Sequence, residues 1–280
     1  MNQQIIFTSV AQGLDARESG FCAVGSSPGM PKSLADALKR LSGYKHCFSP
    51  GDIRNPTVHM AQQVRHGGQM LHVLSQITDA GLDELGRPNK VAHHVVFNGH
   101  NPLPPCGPAH LLAQQGWMRN TWDTAPALLP PAELPDISSP PENCMSWYQQ
   151  TGDAGWAGHL ARAAMEKQRK PVMLLYQPTA SPLQLFAESL ALIDPAERWN
   201  VNFTTFAHRT ENLNDFRWWA APENTDIANN FLQNPRMDVL RLSAKFNPAD
   251  ESDWVNRARR GQPHNQPQQQ AKPQAQQTTN

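Results

Sequence analysis

Short apolar runs that alternate with polar residues dominate the first third of the chain. Such runs, bounded by clusters of Gly, Asp, Arg and Asn, predict β-strands joined by hairpin turns. A helix interrupts them, because Leu34, Leu38 and Leu41 recur at four and three residues and so share one face. A second short helix is predicted at residues 107–115, and the predicted strands lie at residues 5–10, 21–24, 57–64, 68–77 and 91–97.

The pattern changes in the second half of the chain. An Ala-rich segment at residues 153–168 predicts a helix, and residues 181–193 predict another, with Leu183, Phe186, Leu190 and Ile193 on one stripe. Apolar runs at residues 171–176, 200–206 and 216–220 predict strands. Alternating helices and strands are typical of an α/β layer. We therefore predict an α+β fold, a mixed, hairpin-rich β-sheet with packed helices whose second half is more α/β-like.

A proline-rich segment divides the chain. Residues 124–141 hold six prolines in eighteen residues, which predicts an extended loop. Residues 1–245 are predicted to be a single α+β domain, or two packed halves, 1–123 and 142–245, joined by this loop. The Gln/Pro-rich residues 246–280 bury too little apolar surface to offset the entropy of ordering, so we predict a disordered tail.

Charge and composition limit the partners. Lys plus Arg and Asp plus Glu are 24 each, so no basic surface is available for nucleic acid. No apolar run is long enough to cross a bilayer, and membrane association is not expected. The four cysteines form no CxxC pair, and the chain opens without a leader sequence, so we expect reduced thiols and a cytoplasmic location.

Familiar catalytic motifs are missing from the sequence. It contains no GxSxG, HExxH or dinucleotide-binding fingerprint. Residues 25–33 imitate a phosphate loop, but Met30 stands at the second Gly position and Pro31, which has no N–H, precedes Lys32. Whether the protein is an enzyme stays uncertain from sequence, and the missing motifs favour a non-catalytic protein without a cofactor.

The densest group of potential metal ligands comprises His93, His94, His100, Cys106 and His110. Imidazole and thiolate are zinc ligands, so a metal-dependent or Cys/His hydrolase is the alternative function, with His94, His100, Cys106 and His110 as the metal set. Adjacent residues of a strand point to opposite faces, however, so at most one of His93 and His94 joins a given site. Hydrogen-bonded structural histidines are therefore favoured.

Aromatic and histidine pairs add two further expectations. The second hairpin can bring His59 and His72 face to face, either as a pH-sensitive pair or, the favoured interpretation, as an ordinary cross-strand polar pair. Alternation in a strand puts one of Trp218 and Trp219 inward, which leaves the other exposed for a partner, and we take Trp219 as a binding residue. The other tryptophans considered for a platform on which a base or a peptide would stack are Trp117, Trp122, Trp147 and Trp156.

Four segments, in order, resemble one protein family. The opening FTSVAQGLDARESGFCAVGSSPGMPKSLADAL is similar to the N-terminal domain of the bacterial GTPase-associated adaptor proteins, which are encoded in conflict or signalling gene clusters. The same family pattern continues through GRPNKVAHHVVF at residues 86–97, PVMLLYQP at residues 171–178, and residues 193–206. Asn89 and Lys90 replace the Gly-Asn step of that pattern. The resemblance covers residues 3–222.

The resemblance implies an adaptor or scaffold without catalytic residues. Its partner would be a protein, a GTPase or another product of the same gene cluster. Arg87 and His93 match the family pattern and are the polar residues that packing explains least, so we take them, with Trp219, as binding residues. Family members continue into middle and C-terminal regions, and we expect this chain to be a short form without them.

Overall fold

The structure is a computed structural model that describes residues 2–98, 102–138, 140–207 and 216–260. The strands are β1 (Gln3–Val10), β2 (Gly20–Ser26), β3 (Val58–His66), β4 (Gln69–Leu82), β5 (Pro88–Phe97), β6 (Ala127–Leu128), β7 (Val172–Tyr176), β8 (Phe203–Thr204), β9 (Trp218–Pro222) and β10 (Asp238–Arg241). The helices are α1 (Lys32–Leu41), α2 (Pro108–Leu112), α3 (Met145–Thr151), α4 (Gly155–Met165), α5 (Pro182–Ala191), α6 (Asp226–Leu232) and α7 (Asp253–Arg259), with a 3-10 turn at Arg198–Asn200.

All ten described strands lie in one mixed sheet, in the order β10-β7-β9-β8-β3-β4-β5-β1-β2-β6. The part from β3 to β2 is antiparallel, whereas β8, β9, β7 and β10 run parallel to one another. β3 and β8 join the two parts, with Met60 opposite Thr204 and Ala61 opposite Phe203. The predicted α+β class, with a hairpin-rich first half and an α/β-like second half, is confirmed. The division into domains stays a prediction.

Helices cover both faces of the sheet. Because side chains alternate along a strand, Leu74 and Val95 join the core under α2, α3, α4 and α5, while Val73 and Val96 join the core under α1 and α6. All five residues of β7 are buried, as expected for a strand that is covered on both faces. The described helices include none with the length and apolar character that a membrane crossing requires.

Two of the differences between predicted and observed elements have a simple structural cause. The strand predicted at residues 200–206 shrinks to Phe203–Thr204, because residues 198–200 form the 3-10 turn and only two residues reach the pairing partners β3 and β9. The loop predicted at residues 124–141 contains β6, which pairs with β2. Ala127 and Leu128 lie between prolines and keep their own N–H groups, which is why a strand this short forms there.

The prediction of a disordered tail over residues 246–280 is wrong for residues 246–260, and residues 261–280 lie outside the described residues. Val255 and Ala258 of α7 are buried against α4. Arg259 makes a two-pronged ion pair with Asp153, with N–O distances of 2.8 and 2.7 Å. These contacts depend on the matching surface of α4, which composition does not reveal.

Replacing Gly158 by Ala is expected to undock α7. A Cβ at Gly158 would lie 2.3 Å from the Trp254 carbonyl oxygen and 2.6 Å from the Val255 nitrogen, so the two backbones touch. Overpacking at such a contact costs about 1–3 kcal/mol. Limited proteolysis should cut residues 246–260 faster in Gly158→Ala and leave the exposed control Asn256→Ala unchanged. Equal protection in all three proteins would contradict this packing.

Candidate functional site

His93 is buried at the centre of β5. Its side chain is 2% exposed, its Nε2 lies 2.9 Å from the Gln4 side-chain oxygen, and its Nδ1 accepts a hydrogen bond of 2.9 Å from the Arg119 backbone N–H. Burial, followed by the charge of Arg119, lowers the pKa of His93 to about 3, so the ring is neutral. Both ring nitrogens of His93 have hydrogen-bond partners within the fold. Neither is free for the binding role that we predicted for His93.

His94 points to the opposite face of β5 and is fully buried. Its Nε2 lies 2.9 Å from the Ser42 hydroxyl and its Nδ1 lies 2.7 Å from the Ser75 hydroxyl. Burial lowers the pKa of His94 to about 3. A metal ligand needs a ring nitrogen with a free lone pair. The hydroxyl contacts of His94 therefore argue against the metal role considered for it.

Cys106 and His110 lie at the start of α2. Cys106 is buried, and burial raises the pKa of its thiol. His110 has an Nδ1 without a hydrogen-bond partner among the described residues. His100 lies outside the described residues. The part of the chain that the structure describes has no group of three or more His, Cys, Asp or Glu able to hold a metal ion.

The expected histidine pair in the second hairpin does not form. The register of β3 and β4 puts His59 opposite Gln76 and His72 opposite Gln63, so the expectation that the two histidines face each other is wrong. To face His72, His59 would have to pair four residues along β4 from its observed partner Gln76.

The expectation that one Trp of the pair is exposed is also wrong. Trp218 is fully buried against Phe186 of α5, and Trp219, which is 3% exposed, packs against Phe231 of α6. The Trp219 indole N–H donates to the Phe216 carbonyl. Alternation correctly put the two rings on opposite faces, but helices cover both. The binding role predicted for Trp219 therefore lacks an accessible side chain.

Arg87, in contrast, is exposed at the turn between β4 and β5. Residues 82–87 of this turn are called the hairpin tip below. The Arg87 guanidinium donates two hydrogen bonds to the Asp83 carboxylate, at 2.9 and 2.8 Å. The Ser9 hydroxyl donates to the same carboxylate at 2.8 Å and ties the hairpin tip to β1.

The Asp83 carboxylate also holds the backbone of the hairpin tip. Its second carboxylate oxygen accepts hydrogen bonds from the Leu85 and Arg87 backbone N–H groups, at 3.0 and 2.9 Å. The Arg87 side chain, and then these N–H groups, hold the pKa of Asp83 well below its usual range. Gly86 closes the turn with a positive φ of 74°. The backbone of the hairpin tip is thus fixed before any partner arrives.

The hairpin tip presents apolar side chains to solvent. Leu82 is 58% exposed and Leu85 is 75% exposed. A hollow of about 320 Å³ lies beside Leu85, lined in part by Ser9, Gly20 and Arg87. Exposed apolar side chains close together form a surface patch that another protein can cover.

Sequence reasoning selected Arg87 but missed Asp83, Leu82 and Leu85. The sequence does contain a signal for the turn. An Asp that is followed three residues later by a Gly is typical of a turn whose backbone N–H groups bond to the Asp side chain. Exposure of the two leucines could not be read from the sequence, because it depends on what covers the turn in the folded chain.

Comparison with protein-family models identifies both halves of the chain. Residues 1–139 match the model described as GTPase-associated protein 1, N-terminal domain type 2, and residues 144–243 match the GTPase-associated protein 1 middle domain. The chain belongs to the GTPase-associated protein 1 family. The resemblance to an N-terminal domain is confirmed, but the expected absence of a middle region is wrong.

Within this GTPase-associated protein 1 chain, the hairpin tip lies in the N-terminal domain. The pairing of β3 with β8 joins that domain to the middle domain in one sheet. A search of curated proteins and a search of solved structures found no match. The family thus associates the chain with a GTPase system.

Proposed function

We propose that the chain is a non-catalytic adaptor that binds the GTPase of a bacterial conflict or signalling system encoded in the same gene cluster. The family description supports the association with a GTPase. The observation that carries the docking site is the exposure of Leu82 and Leu85 on a hairpin tip whose backbone Asp83 holds.

The hairpin tip combines exposed apolar side chains with charged groups on a backbone that is already ordered. Burial of an exposed leucine contributes about 1.5–3 kcal/mol. Little ordering entropy opposes docking, because the backbone is fixed by hydrogen bonds in the free chain. Arg87 adds an exposed guanidinium edge at the same place, and Glu84 adds a carboxylate. Together these groups offer a central apolar contact with a polar rim, which is the usual composition of a protein interface.

Gel filtration of the purified chain with the GTPase from the same gene cluster tests the adaptor role. The GTPase is loaded in separate runs with GDP and with a non-hydrolysable GTP analogue. We expect a co-migrating complex in at least one nucleotide state, because an adaptor needs a stable contact with its partner. A GTPase from an unrelated cluster is the control. Separate migration in every nucleotide state would contradict the proposal.

A further inference from the structure

A crevice of about 730 Å³ opens at the carboxyl ends of three parallel strands. Tyr176 and Pro222 end β7 and β9, and Thr205 directly follows β8. The facing wall is residues 47–57 of the N-terminal domain, so both family domains contribute to the crevice. Its volume lies in the range typical of small-molecule sites.

The strand order makes this position a topological switch point. From β7 the chain passes through α5 to β8, which lies on one side of β7 in the sheet. From β9 it passes through α6 to β10, which lies on the opposite side of β9. α5 and α6 cover opposite faces, as shown by the packing of Phe186 on Trp218 and of Phe231 on Trp219. Helices that depart to opposite faces leave a gap between neighbouring strand ends, and open α/β sheets bind ligands in such gaps.

The facing wall is held in shape by buried polar groups. The Asn55 side-chain oxygen accepts hydrogen bonds from the Cys47 and Phe48 backbone N–H groups, at 3.0 and 2.9 Å. The Asn55 amide donates to Asp79 at 2.7 Å, and the same Asp79 oxygen accepts the Gly51 N–H at 2.7 Å. The wall formed by residues 47–57 is therefore preformed.

The charged groups that line the crevice are already paired. The Arg54 guanidinium lies 2.6 Å from Asp52 and 4.2 Å from the centre of the Phe48 ring. The Glu223 carboxylate accepts hydrogen bonds from the Ser243 hydroxyl and backbone N–H, at 2.7 and 3.1 Å. These pairs favour an uncharged ligand, because a charged one would have to displace a partner.

Proline also disfavours a phosphate group here. Pro178, Pro182 and Pro222 line the crevice at the turns that follow β7 and β9, where phosphate-binding folds present backbone N–H groups. Pro182 is the first residue of α5 and removes an N–H from that helix end. The crevice therefore lies where α/β folds bind nucleotides, but it offers fewer backbone N–H donors to a phosphate group.

The remaining lining combines apolar side chains with polar groups. Phe48, Leu183 and Pro178 contribute apolar surface, and His59, Tyr176 and Thr57 carry polar groups at the same crevice. Burial lowers the pKa of His59 to about 4, so its ring is neutral at pH 7. A neutral imidazole carries one donor and one acceptor, and the Gln76 side chain engages one of them, which leaves the other for the edge of a heterocycle.

We propose that this crevice binds an uncharged, planar heteroaromatic compound between its apolar walls. The inference rests on the crevice alone and is independent of the hairpin tip. Adenosine, guanosine and caffeine serve as uncharged probes, and the 5′-monophosphates of the two nucleosides serve as charged counterparts. Saturation-transfer NMR detects binding to the full chain, and titration gives each dissociation constant.

We expect at least one uncharged probe to bind with a dissociation constant below about 1 mM, and its monophosphate to bind no more tightly. Ala180→Trp, which fills the crevice, should weaken that binding by about tenfold or more. Ser181→Trp repeats the test at an exposed lining position whose side chain makes no capping bond. Ala196→Trp, on an exposed loop beyond the other end of α5, is the matched control.

Three results would overturn the proposal. One is the absence of saturation transfer from the protein to any of the three uncharged probes. The second is equal affinity in wild type and in the folded variants Ala180→Trp and Ser181→Trp. The third is a monophosphate that binds about tenfold more tightly than its nucleoside, which would make the crevice an anion site.

Discussion

Between pH 6 and pH 4, the free energy of unfolding is expected to fall by about 5 kcal/mol through His93 and His94 alone. Burial is the main cause that lowers the pKa of each ring to about 3 in the folded chain, whereas an unfolded histidine has a pKa near 6.5. The unfolded chain therefore binds protons in this window and the folded chain does not. Stability is full above pH 6.5 and is lost as the pH falls toward 3.

Urea unfolding at a series of pH values checks this expectation. The loss is comparable to the whole stability of many domains, so the chain should unfold in mild acid. His93→Gln keeps a polar side chain beside Gln4 and should reduce the pH dependence by about 1.4 kcal/mol per pH unit between pH 6 and 4. Between pH 7 and 8 wild type and variant should show the same slope. An unchanged slope in mild acid would contradict the neutral, buried state of His93.

Replacing Arg198 by Met is expected to lower the free energy of unfolding by about 3–5 kcal/mol. Arg198 is 4% exposed and donates to three backbone carbonyls, those of Ile193 and Ala191 at 2.9 Å and of Pro105 at 2.6 Å. Ala191 is the last residue of α5, Ile193 follows the helix two residues later, and Pro105 belongs to the loop before α2. Met matches the length of the side chain but leaves all three buried acceptors without a donor.

A charge-conserving variant separates the effect of the Arg198 side-chain geometry from the effect of its positive charge. Arg198→Lys keeps the positive charge but cannot reach three carbonyls in different directions, so we expect a loss of about 1–3 kcal/mol. Arg236→Met, at an exposed position, is the control and should change stability by less than about 0.5 kcal/mol. Urea unfolding measures all three. An Arg198→Met chain within about 1 kcal/mol of wild type would contradict the role of Arg198 as a clamp between α5 and the α2 loop.

The sequence predicted the central strands well because burial and periodicity agree there. β5 and β7 are apolar runs in the sequence and buried strands in the structure. β8 was predicted too long, because its extent depends on which residues reach β3 and β9, and that is a tertiary property. The helix α7 was missed because its stability comes from contact with α4, centred on Gly158, rather than from its own composition.

The candidate site was predictable only in part. Arg87 was selected because packing did not explain it, and the structure places it on an exposed, ordered turn. His93 was selected on the same argument, but its partners Gln4 and Arg119 are distant in sequence and meet it only in the folded sheet. The crevice escaped prediction for the same reason, since its walls come from segments more than a hundred residues apart.

Docking of the GTPase on the hairpin tip is tested most directly by calorimetric titration of the chain with the GTPase of its gene cluster, in the nucleotide state that gives a complex. The double variant Leu82→Asp, Leu85→Asp changes two exposed side chains and should leave the fold intact. Leu232→Asp, at another exposed leucine, is the matched control.

The proposed docking predicts that the double variant binds the GTPase at least about a hundredfold more weakly than wild type, since burial of two leucines contributes about 3 kcal/mol or more. The Leu232→Asp control should keep the wild-type affinity. Equal affinity of wild type and the double variant, measured on folded proteins, would contradict docking through the hairpin tip.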